Sequence, residues 1–311
     1  MQVVITLKSR YCGLKVKCLI IVGLFCTCPY YPRAQQLEPR AYAALPKNFN
    51  AIVFAYGLSR GNVLADPALP ITNFTITTNT FSATFLHTFE VAKKLARVQV
   101  TIPYADLLGK LQINGHDTSG GRSGLADAEV RIGVNLTGSP PLDKKAFTHY
   151  TQQTIVGTSL VISVPTGLYY ADKRINIGSH RWGIKPEVGI SQRIKRIYFE
   201  AYAGIWFYTL NNDYLGKNTI RQDPVFNLQL HGSYYFKNFM WISINSVWFI
   251  GGQTKIDDVP QGALLNNWRA GATWGIPIAR GQSLKLQFHV GVLAAGHYNY
   301  NLAMLAYQHT F

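Results

Sequence analysis

The feature that most constrains this chain is a period of two. Apolar and polar residues alternate in run after run between residues 48 and 311. Near 125–137, Ala126, Ala128, Val130, Ile132, Val134 and Leu136 oppose Asp127, Glu129, Arg131 and Asn135. Near 196–209, Ile197, Phe199, Ala201, Ala203, Ile205 and Phe207 oppose Tyr198, Glu200, Tyr202, Trp206 and Tyr208. Successive side chains on a strand point to opposite faces, so each run has one apolar surrounding and one polar one. Twelve such runs lie near 48–58, 79–90, 95–104, 125–137, 152–165, 182–193, 196–209, 224–236, 238–250, 266–277 and 283–294, with the last ending at Phe311. A soluble antiparallel sheet alternates in the same way. Length separates the two cases. The runs are about 10–14 residues long, against about 5–6 for soluble strands and about 9–11 for membrane strands.

The connections point the same way. Long ones lie near 59–78, 105–124, 166–181, 210–223 and 251–265, and short ones at 91–94, 194–195, 237 and 278–282. Membrane barrels place short turns on the periplasmic side and long loops outside. Two segments fit less well: 138–151 is long for a periplasmic turn, and 295–299 is short for an outer loop. Only 14% of residues are charged and 13% are aromatic, yet no stretch after residue 30 supplies the ~20 apolar residues of a membrane helix. The expected fold is all-β: a closed antiparallel transmembrane barrel of about twelve strands over 48–311. A soluble sandwich or barrel is the alternative.

The last strand fits closure. Phe311, His309, Tyr307, Leu305 and Ala303 share one face. A closed barrel must pair its last strand with its first, because unpaired backbone in lipid is costly. A terminal Phe on an alternating strand also resembles the signal read by the outer-membrane insertion machinery. Tyr307 and Phe311 are the candidate assembly residues, and His309 departs from the pattern.

Residues 1–34 read as a secretory signal. Lys8, Arg10, Lys15 and Lys17 precede the apolar run 18–26, and cleavage after Ala34 is expected, although Pro32 stands where a small residue is preferred. A lipidated Cys26 or Cys28 is the other reading; Phe25 and Thr27 before them are not small. All four cysteines (Cys12, Cys18, Cys26, Cys28) lie in this segment, so the mature chain has no disulfide, zinc–thiolate site or cysteine nucleophile. Residues 35–47 read as a short periplasmic lead. The formal charge is +15; removing the five basic residues of 1–34 leaves 25 basic against 15 acidic, or +10. Attraction to lipopolysaccharide and lipid fits that balance. No basic stripe or module points to nucleic acid.

Charge on one face of nearly every strand is costly against lipid, so that face is expected to line a lumen. The lumen candidates are Arg97, Glu129, Arg131, Lys185, Glu187, Glu200, Tyr202, Trp206, His231, Arg269 and Lys285. The acids and bases among them form either a filling network or an eyelet that filters by charge. Tyr198, Tyr202, Trp206 and Tyr208 form either an aromatic track for flat ligands or simple filling. His231 and Ser233, at i and i+2 with Asn245 nearby, resemble the set of an outer-membrane phospholipase; no Asn-Gly-Arg follows the Ser. The alternative for that pair is a lumen hydrogen bond. Gly120-Gly121 with Ser119 and Ser123 lacks the Gly-Lys-Ser/Thr of a phosphate loop and reads as a flexible outer loop. No cofactor or metal is expected.

A family resemblance covers residue 48 to the end. It rests on VGTSLVISVPTGLYYADKRINIGSHRWGIKPEVGISQRI at 156–194 and AYAGIWFYTLNND at 201–213. Gly251-Gly252-Gln253-Thr254 with Asp257, the segment 267–273 ahead of Pro277, and Ser283-Leu284-Lys285-Leu286 add to it. Together they resemble the outer-membrane transporter family labelled putative MetA-pathway of phenol degradation. The resemblance implies an outer-membrane barrel without a large plug domain and a role in passing small hydrophobic or aromatic solutes. It carries no catalytic motif and no binding residues. A lipid-modifying enzyme using His231 and Ser233, and a structural or adhesin-like barrel, are the rival readings.

Overall fold

The alternating runs become staves of one wall. In the computed structural model, described over residues 38–62, 71–113, 116–173, 175–261, 264–295 and 299–311, the strands are β1 (Asn50–Asn62), β2 (Ile71–Val91), β3 (Lys94–Ile113), β4 (His116–Leu125), β5 (Ala128–Thr137), β6 (Ile155–Val164), β7 (Gly183–Ile194) and β8 (Ile197–Tyr208). They continue as β9 (Asn211–Tyr214), β10 (Asn218–Gln222), β11 (Val225–Tyr235), β12 (Trp241–Gly251), β13 (Thr254–Ile256), β14 (Val259–Gln261), β15 (Leu265–Ala279), β16 (Gln282–Ala295) and β17 (Asn299–Thr310). One four-residue helix, α1 (Lys144–Phe147), sits in the connection between β5 and β6. Among the described residues no helix is long and apolar enough to cross a membrane; the crossing is made by strands.

The main sheet has thirteen strands in the order β2-β1-β17-β16-β15-β12-β11-β8-β7-β6-β5-β3-β4, and β2 also pairs with β3, which closes it. β4 and β5 both lie against β3 and are two halves of one stave, so the barrel has twelve staves. The break falls opposite Pro103, which has no N–H for the ladder; Ala126 donates to the Pro103 carbonyl at 2.9 Å instead. Asp127 leaves the wall and its carboxylate accepts from the backbone N–H groups of Gly167 (3.0 Å) and Ser179 (2.8 Å). The break thus anchors the connection 165–182. Closure is antiparallel along the whole of β1, from Ala51↔Thr310 to Asn62↔Asn299.

The wall is inside out relative to a soluble protein. Phe54, Phe85, Ile132, Val188, Phe199, Trp268 and Phe288 are exposed on its outer face, and Ile244 is 77% exposed. Arg97, Arg131, Lys185, Glu187, Glu200, Asn227 and Gln229 are buried on the inner face. Water would disfavour such an outer surface by about 25 cal/mol for each Å² of it. An apolar bilayer removes that cost, and the fold is that of a transmembrane barrel.

Both chain ends of the barrel, Asn50 and Phe311, lie at one rim with the short turns. Ala92 and Lys93 join β2 to β3 there with φ of 48° and 61°, the positive values that a two-residue hairpin turn needs. The opposite rim carries the longer connections. Two of them pair as a separate sheet, β14-β13-β10-β9. The expected loop 105–124 is instead a hairpin that stands above the rim. The alternation runs on past residue 104, with Ala105 and Leu107 buried against exposed Leu108. Gly120 and Gly121, expected in a flexible loop, pair with Gly109 and Leu108; losing a Cβ does not remove the backbone groups that make the ladder.

Candidate functional site

Every inward stave brings polar groups that need partners, since a buried unpaired charge costs several kcal/mol, roughly. The segment 38–47 supplies many of them. Expected as a periplasmic lead, it lies inside the barrel from residue 38 onward, and the reason is complementarity. Arg97 of β3 donates to the carbonyls of Ala41 (2.5 Å) and Ala43 (2.8 Å). The Arg40 guanidinium pairs with Glu200 of β8 at 3.1 Å and donates to Gln152 at 3.1 Å. Its face lies 4.0 Å from the Tyr198 ring centroid. Glu38 pairs with Arg131 of β5, and its N–H donates to Gln229 of β11 at 3.2 Å.

Tyr42 is the centre of this plug. It is 2% exposed and packs with Ile155 and Tyr202. Its hydroxyl lies 2.9 Å from Ser159 Oγ and donates to Glu187 Oε1 at 3.2 Å. The ring fits because Gly157 and Gly189 are paired across β6 and β7. A Cβ at Gly157 would stand 2.5 Å from the ring, and one at Gly189 2.3 Å. The slot therefore requires glycine at both positions.

The lumen candidates fall as follows. Arg131 pairs with both Glu38 and Glu187, and Lys185 with Glu187 at 2.8 Å. Glu200 holds Arg40. Glu129 sits opposite Thr101 and Ser163 on the same inner face. Arg131, Lys185, Glu187 and Glu200 form a mixed-charge network with the lead. Tyr202 lies between Tyr42 and His231, each ring 5.0 Å away and tilted against it. Trp206 stacks on Tyr208 at 5.9 Å nearer the loop rim. Arg269 and Lys285 lie apart on β15 and β16. Glu38, Arg40 and Tyr42 are not among the lumen candidates; the signal for them in the sequence was the inward glycine pair.

The enzyme-like cluster is wired differently from a catalytic set. His231 Nδ1 is 2.9 Å from Asn245 Oδ1, while Ser233 Oγ donates to Ser243 Oγ at 3.1 Å. Ser243 passes on to Asn245 at 2.7 Å, and Asn245 to Thr273 at 2.9 Å. His231 and Ser233 share no hydrogen bond; each belongs to a chain of bonds across β11, β12 and β15.

Toward the loop rim the lumen wall turns apolar. Val225, Val247 and Phe249 are buried together, and Trp206, Tyr208 and Leu265 pack against them. Connections fold over this end: Tyr169 donates to the Asp213 carbonyl at 3.0 Å, and Arg181 to Gln222 at 2.6 Å. At the other rim Tyr307 points outward and its hydroxyl donates to Gln282 at 3.0 Å. Phe311 is half exposed there and exchanges backbone bonds with Asn50. The predicted signal segment 1–34 lies outside the described residues.

Solved structures with similar folds are outer-membrane proteins. An outer membrane channel from Pseudomonas putida F1 has a TM-score of 0.73 at 20% identity, over 89% of this chain and 100% of that one. The transport unit of the autotransporter AIDA-I from Escherichia coli has 0.52 at 10% identity, over 89% and 94%. The β domain of the Bordetella autotransporter BrkA has 0.51 at 11% identity, over 85% and 100%. No curated protein matches the chain in sequence. Residues 59–295 match the family described as "Putative MetA-pathway of phenol degradation", and the chain belongs to that family.

Proposed function

We propose that this chain is a passive outer-membrane channel for small hydrophobic solutes, aromatic ones in particular. The observation that carries the reading is the cluster of Val225, Val247, Phe249, Trp206, Tyr208 and Leu265 inside the loop-rim mouth of a lumen whose wall is lined mostly by polar groups. An apolar patch with aromatic neighbours is a site that an apolar solute enters and a sugar does not. Twelve staves give a lumen between the filled eight-strand barrels and the open porins of about 16–18 strands, and the lead narrows it further. The family description and the Pseudomonas channel support the same reading. On this reading 1–34 is removed on export, the insertion machinery reads Tyr307 and Phe311, and the loop rim faces lipopolysaccharide.

The test is uptake into proteoliposomes by phenol, benzyl alcohol, a fatty acid and a sugar, with empty liposomes beside them. Phenol and benzyl alcohol should enter faster than into empty vesicles, and the sugar should not. Equal rates with and without protein sink the transport reading. A phospholipase assay on the same preparation tests the rival: lipid hydrolysis abolished by Ser233→Ala would put an enzyme in place of the channel.

A further inference from the structure

The charges of the lumen are unevenly shared. Inside the barrel, the lead and the wall around it join their bases to Glu38, Glu187 and Glu200. Among the described residues the opposite part of the lumen wall shows no such acid–base pair. Six neighbouring staves, β11, β12, β15, β16, β17 and β1, contain no Asp or Glu at all. Yet β15 and β16 turn Arg269, His289 and Lys285 inward. Arg269 and His289 are each 1% exposed. All three guanidinium nitrogens of Arg269 and both ring nitrogens of His289 lack a hydrogen-bond partner among the described residues. Lys285 makes no ion pair there.

The two unpartnered groups are neighbours. Arg269 pairs with Gly291, and His289 with Gly271, so they sit diagonally on one face about 7–8 Å apart at the backbone. Gly271 leaves room for the imidazole: a Cβ there would meet it at 2.5 Å. The Arg269 guanidinium lies 3.3 Å from the centroid of the Tyr300 ring. Stacking occupies its face and leaves its in-plane N–H donors for an acceptor. Val247, a member of the apolar mouth cluster, stands directly opposite Arg269 on β12.

We propose that Arg269 and His289 form a binding site for the carboxylate of a small aromatic acid, with its ring against Tyr300 and the Val247–Phe249 patch. A guanidinium meets a carboxylate through two parallel N–H bonds, and His289 supplies a third donor. Pairing between β16 and β17 ends at His289↔Leu302 among the described residues. Beyond it Tyr300 is held to the wall by β1, through Gly61. Among the described residues the β16 ladder does not reach Tyr300, whose ring lies on the Arg269 guanidinium.

This inference rests on the channel reading, and binding separates the two. The full chain, folded in detergent and checked by heat-modifiable migration, is titrated calorimetrically with benzoate, with benzyl alcohol as the neutral match and with octanoate. Benzoate should bind saturably and at least about tenfold tighter than benzyl alcohol, as one bidentate charged contact implies. Arg269→Gln and, separately, His289→Gln should erase most of that preference. Arg269→Met serves as the fold control. If Arg269 acts only as structure, the Met variant melts earlier; at a binding site the unpaired charge is a burden, and the variant melts at the same temperature or later while losing benzoate. Equal affinity for benzoate and benzyl alcohol, tighter octanoate, or full benzoate binding by the folded Arg269→Gln variant overturns the site. Those results leave benzyl alcohol flux through proteoliposomes untouched. Benzoate binding without flux of either solute keeps the site and removes the channel.

Discussion

At the residue scale the plug depends on one aromatic ring in a slot with no side chains. Truncating a well-packed aromatic costs about 3–5 kcal/mol. Here the loss falls on docking of the lead, because Tyr42 belongs to no stave. Tyr42→Ala should therefore raise single-channel conductance in planar bilayers while the melting temperature of the barrel barely moves. Gly189→Ala approaches the same slot from the wall, with its Cβ 2.3 Å from the ring, and should raise conductance as well. Unchanged conductance in both variants would mean that the lead does not restrict the pore. A second residue-scale effect lies on the loop side. The Asp257 carboxylate accepts from the Thr219 N–H at 2.8 Å and from the Asn218 amide. The Thr219 bond first, then the Asn218 bond, hold this carboxyl below its usual range. A depressed carboxyl stabilises the fold above its ordinary pKa, and that contribution fades as pH falls through the lowered value. The tie between the two connections should loosen in strong acid and be intact at neutral pH. Carboxyl NMR titration checks it; a midpoint at or above about 3.9, the ordinary aspartate value, refutes the tie.

At the element scale the lead and the staves differ in how they could be read. Each stave was legible because its alternation is local: Val130, Ile132 and Val134 outward, Arg131 and Asn135 inward. The eleven lumen candidates came from the same parity. The lead had no such signal. Glu38-Pro39-Arg40-Ala41-Tyr42 is short and polar, and polar leads are ordinarily solvated. Its place is fixed by partners far along the chain, such as Glu200 for Arg40, 160 residues away. Gly157 and Gly189 marked the slot, but only a known register pairs them. The wiring of His231 was hidden for the same reason, since shared parity with Ser233 says nothing of where each side chain turns. The hairpin of β3 and β4 escaped because glycines weaken a strand pattern without preventing pairing. The lead is also the element to remove. A chain lacking residues 38–46 leaves Arg97 and Arg131 without their lead partners around a wider lumen. It should fold with a lower melting temperature and conduct more than the Tyr42→Ala variant. A deletion that conducts like the intact chain would show that this segment leaves the permeation path free.

At the scale of the whole molecule two demands are set against each other. The outer face must be apolar enough for lipid, and the inner face must pair its charges without the help of bulk water. The barrel meets the second demand on one side by drawing its own N-terminal segment inward. On the other side Arg269 and His289 have no acidic partner among the described residues. Closure joins the two sides, for β1 follows directly from the lead and pairs with β17. The chain ends on Phe311, whose N–H donates to the Asn50 carbonyl at 3.1 Å, while Asn50 donates back at 3.4 Å. These are the last bonds of a ladder that already runs through twelve pairs from Ala51↔Thr310. Removing them should cost the folded barrel little, on the order of 1 kcal/mol for each bond lost. The Phe311 side chain is 51% exposed on the outer side of the rim and stacks on His309, 6.0 Å away. Its position suits recognition before closure better than packing after it. Deleting Phe311 should leave the melting temperature of purified, folded barrel nearly unchanged and lower the yield of heat-modifiable barrel in the membranes of expressing cells. Normal yield with a clearly lower melting temperature would reverse the assignment and make Phe311 a structural clasp.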